Sequence, residues 1–374
     1  MSEAAENKRV WRIAHSEFSL GWGGQEMRVF AELQGFKDRG SEVTLIAPAA
    51  SKIFKRCTEA GIDCVELPQK KLKLVISIMR IARILRERRI EVLNTHSSRD
   101  GWFVAMSGRM AKTPFIIRSR HIEVTYPNRW ISRHAFTTLA DFIICTSDRI
   151  RDHLKMEFNL KDSKIETLPT GIDPSRFARK GPKHPNLEKL STGGKKLIGM
   201  VCVLRSWKGH DVFIDAAKKL IENGLNADYV IAGEGPRRKR IAQWIEDTGY
   251  ADRFHMMGHV DDVPTVLRSL DVLAIPSLSH EGVPQIGLQA LACKTPVVGS
   301  HIGGIPEIIH HGETGRIVAA DNVDELADGL RTALDETEAT QRMSGAGRRV
   351  IEEKHSQAHM LDRLGEIYRQ HLPA

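Results

Sequence analysis

The chain has 374 residues, of which 41% are hydrophobic and 27% charged, a globular composition that excludes the disordered and fibrous classes. That length exceeds one ordinary domain and suits two, each with its own core. A formal charge of +8 favours an acidic partner, a condition that nucleic acid, anionic lipid and a phosphorylated substrate all meet.

The start of the chain, residues 1–9, is polar and charged and leads straight into an apolar run. It offers no h-region for export, so a cytoplasmic protein is expected. No stretch approaches the roughly 18 to 20 apolar residues that span a bilayer, which limits membrane contact to the periphery. Cys57, Cys64, Cys145, Cys202 and Cys293 are widely spaced and odd in number, and read as reduced core residues rather than disulfides or a metal cluster.

Strand-like runs at 9–14, 42–47, 64–67, 92–96, 115–120, 142–146 and 164–168 alternate with helical patterns, the first at about 25–39. This βαβ rhythm implies a parallel sheet. A stretch rich in Pro, Lys and Gly at 181–196 reads as a linker, and the rhythm restarts with strands at 197–203, 228–232, 254–257, 272–276 and 296–300. The predicted fold class is α/β, with two Rossmann-like doubly wound domains facing across a cleft: 1–180, 181–350, and a helical tail 351–374. Ligands of such sheets sit at the carboxyl ends of the strands, at the topological switch point.

The first strand ends in a loop carrying Gly23 and Gly24 before a helix. These glycines let backbone amides approach an anion at a helix start; equally, they suit a helix-start turn that needs positive φ. At the end of the 197–203 strand, Arg205 and Lys208 put two cations where a pyrophosphate would sit. There they can neutralise the charge that develops on a departing nucleotide diphosphate. Glu281, before a glycine turn and a helix, can accept hydrogen bonds from sugar hydroxyls while free helix-start amides face phosphate.

Arg205-x-x-Lys208-Gly209, Gly233-Glu234-Gly235-Pro236, Glu281-Gly282, Thr295-Pro296-Val297-Val298-x-Ser300 and Gly303-Gly304-x-Pro306-Glu307 together resemble family 4 of the retaining glycosyltransferases, over nearly the whole chain. The resemblance implies the GT-B fold and transfer of a sugar from a nucleotide-diphosphate donor to a glycan or lipid-linked acceptor, in cell-surface polysaccharide or lipopolysaccharide synthesis. It implies that Gly24, Arg205 and Lys208 bind the diphosphate and that Glu281 holds the sugar. The backbone of Gly282, Val283, Pro284 and Gln285 would lie near sugar and phosphate, Gly233 would share the donor site, and Met257, Gly258 and His259 would contact the base.

The family's second glutamate is Gln289 here, whose amide oxygen accepts from a ribose hydroxyl without the charge-assisted bond of a carboxylate. His121, just past a strand end, is either a structural histidine or, as the resemblance implies, the family's active-site histidine, and His96, in a similar setting, is expected on the acceptor side. No Asp-x-Asp pair occurs, which argues against the metal-holding GT-A arrangement. Metal-independent chemistry is therefore expected, with no cofactor beyond the donor substrate, and the resemblance implies retention by front-face attack with the leaving phosphate as base.

Residues 70–89 are basic and apolar at helical spacing. Leu74, Ile78, Ile81 and Leu85 share one face, with Lys73, Arg80 and Arg83 roughly opposite. Such a helix suits an anionic membrane on the inner face of the cytoplasmic membrane, or packs on the first sheet with a solvated basic rim. The run Arg237–Arg240 reads as a solvated helix face. Aromatics do not interleave with either run, so nucleic acid is not an expected partner. Rival readings are a GT-B epimerase and a non-catalytic sugar-nucleotide sensor or membrane scaffold. A dehydrogenase is disfavoured, because no Gly-x-Gly-x-x-Gly follows the first strand.

Overall fold

The computed structural model describes residues 9–124, 129–334 and 338–372, without the side chains of 71–74 and 129. The polar start at 1–8, and Lys73 and Leu74 of the basic helix, therefore lie outside the described residues. Two compact units are present: Met1–Gly171 with Gln357–Ala374, and Ile172–Ser356. The division falls at 171/172 and 356/357, against the expected 180/181 and 350/351. The stretch at 181–196 belongs to the second unit, where the short helix Pro185–Leu190 buries Leu187.

The first unit is built on strands β1 (Arg12–Ser16), β2 (Glu42–Ala47), β3 (Asp63–Glu66), β4 (Val92–Thr95), β5 (Phe115–Arg120), β6 (Phe142–Cys145) and β7 (Ile165–Thr167). They form one sheet in the order β3-β2-β1-β4-β5-β6-β7, and every pairing is parallel. Parallel strands buried on both faces need apolar side chains in both directions, and Val43, Leu45, Ile46, Ile116, Ile117, Ile143 and Ile144 supply them. Helices Gly24–Asp38 and Lys52–Glu59 cover one face, and Lys71–Glu87 and Asp100–Ala111 the other.

The last helix, Gln357–His371, also belongs to this unit. Met360, Leu361, Leu364, Ile367 and Tyr368 enter its core, and the Tyr368 ring meets Trp11, Phe36 and Phe115 at centroid distances of 5.7, 5.4 and 6.5 Å. Arg363 grips Glu166 through two bonds of 2.7 and 2.8 Å. The helical pattern expected over 350–372 is two helices, because Glu338–Lys354 ends at His355 and Ser356 and stays with the second unit.

The second unit carries β8 (Lys196–Val201), β9 (Ala227–Ala232), β10 (Phe254–Gly258), β11 (Val272–Ile275), β12 (Val297–Ser300) and β13 (Arg316–Val318). Their order is β10-β9-β8-β11-β12-β13, again all parallel. Strand β13 has three residues, too few to show a period in the sequence. Each sheet thus reverses its winding beside its first strand, at β1/β4 and at β8/β11.

Within the basic helix Lys71–Glu87, the face expected to meet a membrane is turned inward: Ile78, Ile81 and Leu85 are buried, the last two against the sheet. Val75, Ile76 and Met79 are exposed instead, with Arg80 and Arg83 beside them. Among the described residues no helix is long and apolar enough to cross a membrane.

Replacing Leu364, which is fully buried, by alanine is expected to cost about 3 kcal/mol, read as a lower urea midpoint. Since the helix carrying it completes the first unit's core, near-ultraviolet signals from Trp11 should be lost in that transition.

Candidate active site

In the second unit the loops leaving β8 and β11 meet at the switch point. Lys208 follows β8 and forms a short ion pair with Glu281, which follows β11. Ser277 Oγ donates to the same carboxylate at 2.6 Å, and the Ser300 hydroxyl at the end of β12 holds the Ser277 carbonyl at 2.5 Å. Backbone ties the loops as well, with Leu278 N–H donating to Trp207 O at 2.8 Å.

Two glycines make this approach possible. Gly209 sits at φ +69°, and a Cβ there would lie 1.9 Å from the Pro276 carbonyl oxygen. Gly303 sits at φ +56°, and its Cβ would lie 2.1 Å from the Glu281 carbonyl oxygen. Any other residue would force the loops apart while straining its own backbone.

Glu281 is 6% exposed, and the Lys208 ammonium is the cation that faces it. Burial pushes the Lys208 ammonium down, but the neighbouring Glu281 carboxylate more than reverses this and holds it above its ordinary value. Arg205, by contrast, is exposed, with its guanidinium carbon 5.4 Å from the Trp207 ring centre. The site therefore has one cation held in place and one able to swing onto an anion.

The other expected donor residues gather at the same edge of this sheet. Gly233 follows β9, and its N–H donates to the Gly258 carbonyl at 2.7 Å. Met257 and Gly258 end β10, and His259, next along, faces Asp261 at 3.4 Å. Met257 and His259 line a cavity of about 750 Å³ with His184, Asn186 and Leu187. Gly282, Val283 and Pro284 are buried ahead of the helix Gln285–Cys293, and Gln289, inside that helix, is 6% exposed. Arg238 of the basic run pairs with Glu234 at 2.9 Å, and Arg240 lies over Trp244 at 5.1 Å, on an ordinary helix face.

In the first unit, three histidines stand at the ends of three adjacent strands: His15 in β1, His96 after β4 and His121 after β5. His15 Nδ1 and His96 Nε2 are 2.9 Å apart, as are His96 Nδ1 and His121 Nε2. The rings stack at 5.0 and 5.2 Å. His96 is 1% exposed with both nitrogens engaged, so it does not line an acceptor surface as expected. His121, the last of the three in the row, is partly buried.

Behind His15, Glu32 Oε2 lies 3.7 Å from Nδ1. Arg28 pairs with Glu32 at 2.6 Å and donates to Leu168 O at 2.6 Å. Gly23 caps the helix Gly24–Asp38, but its N–H already donates to Glu26 Oε2 at 2.8 Å, which removes it as a free donor to phosphate.

Next to the histidines lies a second buried group the sequence did not single out. Asp100 accepts from Ser16 Oγ at 2.7 Å, His96 N–H at 3.0 Å and Ser97 N–H at 2.8 Å. The Ser97-x-x-Asp100 spacing, a capping-box pattern, is the signal that points to it. Glu17 accepts from Ser19 N–H at 2.9 Å and from the Gln25 amide at 2.5 Å. Burial, with the Asp100 and Glu26 charges adding to it, raises its carboxyl to about 8. Burial also lowers His15 to about 4, and His96 and His121 well below their ordinary value. The histidines are therefore neutral near pH 7. Ser277 lacks a sequence signal, and the motif that ends in Ser300 does not show that its hydroxyl holds the Ser277 carbonyl.

A family model described as Glycosyl transferases group 1 matches residues 186–350, and one described as Glycosyltransferase Family 4 matches residues 22–176. The alpha-D-kanosaminyltransferase of Streptomyces kanamyceticus is 27% identical over 249 residues, 65% of this chain. The chain spans just under two thirds of that relative, 63% of its length. The UDP-Gal:alpha-D-GlcNAc-diphosphoundecaprenol alpha-1,3-galactosyltransferase of Escherichia coli is 25% identical over 281 residues, 71% of this chain and 72% of that protein. Among solved structures, Anabaena HepE in complex with UDP and glucose superposes with a TM-score of 0.84 at 17% identity, covering 96% of this chain and 99% of the other. That likeness is one of fold, the two-domain Rossmann-like GT-B arrangement.

The shifted groups set the pH dependence of stability. His15, lowered from 6.5 to about 4, contributes stability that is present above pH 6.5 and lost as pH falls toward 4. Glu17, raised from 4.5 to about 8, contributes stability present below 4.5 and lost as pH rises through 8. Glu17→Gln keeps the site neutral, so its advantage over the parent in urea unfolding should grow from pH 4.5 to 8. A difference independent of pH would show that Glu17 is ionised in the folded protein.

Proposed function

Because the chain belongs to the glycosyl transferases group 1 family, we propose that it transfers a sugar from a nucleotide-diphosphate donor to a glycan or lipid-linked acceptor, with retention and without a metal. The observation that carries the reading is the Lys208–Glu281 pair at the β8/β11 switch point, braced by Ser277. A buried carboxylate accepts from sugar hydroxyls, and Lys208 beside it, with the exposed Arg205, neutralises the departing diphosphate. The cations do the work that a divalent ion does in other transferases. No second carboxylate is needed as a nucleophile when the acceptor attacks from the face the phosphate leaves, and the phosphate oxygen takes the acceptor's proton. The relative named for UDP-galactose, and the structural neighbour bound to UDP and glucose, support a nucleotide-sugar donor. An acceptor in cell-surface polysaccharide or lipopolysaccharide synthesis fits the lipid-linked acceptor in that relative's name.

UDP-, GDP- and ADP-sugars offered with EDTA present should reveal turnover of one donor. Glu281→Ala and Lys208→Ala should each lower kcat/KM roughly 100-fold or more. Loss of activity with EDTA would overturn the metal-independent mechanism. Tight binding without turnover, even with a membrane extract as acceptor, would favour a sugar-nucleotide sensor.

We also propose that the first unit rests on an anionic membrane surface. Val75, Ile76 and Met79 are 53%, 67% and 67% exposed on the helix Lys71–Glu87. Met106 and Met110 are exposed on the adjoining helix Asp100–Ala111, and Arg80, Arg83 and Arg86 lie among them. Apolar side chains beside arginines suit the boundary between acyl chains and anionic headgroups. The protein should float with vesicles containing phosphatidylglycerol more than with phosphatidylcholine alone. Ile76→Asp with Met79→Asp should weaken this roughly tenfold or more, whereas equal flotation of parent and variant would exclude this face.

A further inference from the structure

We infer that Arg28, Glu32, His15 and His96 form a buried relay of positioning residues that locks His121 as the Nδ1–H tautomer, so that His121 meets its ligand as a neutral hydrogen-bond donor. The inference rests on the glycosyltransferase reading only for the identity of that ligand, a sugar oxygen. The tautomer itself follows from the chain of contacts.

Each N···N distance of 2.9 Å holds one proton, so neutral rings must all be protonated in the same sense. In one sense, His121 Nε2–H donates to His96 Nδ1, and His96 Nε2–H donates to His15 Nδ1. His15 then carries its proton on Nε2, which finds no partner among the described residues. Its Nδ1 lone pair would also face Glu32 Oε2 at 3.7 Å.

In the other sense, His15 Nδ1–H donates to His96 Nε2 with the Glu32 carboxylate alongside, and His96 Nδ1–H donates to His121 Nε2. The orphan at His15 is then a lone pair. A buried N–H left unpaired costs more than an unused lone pair, and an N–H beside a carboxylate is favoured where a lone pair is repelled. The second sense prevails. It leaves Nδ1–H as the remaining ring group of His121, able to donate and unable to act as a base.

Arg28 sets the polarity from behind. It holds Glu32 Oε1 at 2.6 Å and is itself anchored on Leu168 O, which leaves Oε2 aimed at His15. Glu32 is fully buried, as are His15 and nearly all of His96. A divalent ion is the rival occupant, because one atom from each of His15, Glu32 and His96 lies within 4.8 Å of the others. The adjoining guanidinium opposes a second cation there, and the 2.9 Å approach of the two ring nitrogens suits a shared proton.

The test is the nitrogen spectrum of the full chain labelled with 15N-histidine, with His121 assigned by its loss in His121→Gln. His121 should show a protonated Nδ1 and an unprotonated Nε2 at pH 7. In Glu32→Gln the bias should be lost, with His121 averaging between tautomers or reverting to Nε2–H. The double variant Arg28→Met with Glu32→Leu, which removes the buried charges together, serves if Glu32→Gln does not fold. His121 protonated on Nε2 in the parent protein, or an unchanged tautomer in both variants, would overturn the relay. One equivalent of a divalent metal that co-purifies and is lost in His15→Gln would also overturn it. If the tautomer holds while no sugar nucleotide is turned over, the relay stands and the glycosyltransferase reading fails.

Discussion

A parallel strand can be followed by another in the same sheet only if the chain crosses back over one face, and that crossing is right-handed. Every strand then points the same way, and every loop that leaves a strand end opens at the same edge. Both units obey this constraint twice over, winding first to one side of the first strand and then to the other. At the reversal, the loops after neighbouring strands diverge to opposite faces and leave space between them. Lys208 and Glu281 meet in that space in the second unit, although 73 residues separate them. The histidines line up beside it in the first.

The two units treat buried charge in opposite ways. In the second, Lys208 stands against the buried Glu281, which holds the ammonium above its ordinary value. In the first, desolvation holds the imidazoles neutral, with one proton each, and leaves Glu17 protonated. A charged pair can answer the charge that builds on a departing phosphate, while a neutral donor can orient a hydroxyl without holding it too tightly. The Arg28–Glu32 pair, buried on one face of the helix Gly24–Asp38, stands between these strategies, since it acts on a neutral row of imidazoles.

The basic helix Lys71–Glu87 shows how a periodic pattern misleads. Its apolar residues cover more than one stripe, so two faces compete for the core. Ile81 and Leu85 win because they pack with Ala14, Ile46 and Leu93 of the sheet, and Ile78 is buried on the same side of the helix. The residues left outside are as apolar as those within, and the helix pattern alone has no means of ranking them.

Much of the fold was legible in the residues themselves, because hydrophobic period and turn chemistry are local properties. The βαβ rhythm, the glycines at 209 and 303 and the cations at 205 and 208 can each be read within a few residues, and the motif order carried the family. Contacts between distant residues were not legible. His15 and His96 are 81 positions apart and His96 and His121 are 25, and they touch because the strand order sets β1, β4 and β5 side by side. The same holds for Ser300 holding the Ser277 carbonyl from 23 positions away and for the return of the last helix to the first unit. The chain by itself determined which elements form and which carry chemistry. Tertiary packing decided which side chains share a hydrogen bond, because burial and proton placement depend on neighbours that sequence distance does not reveal.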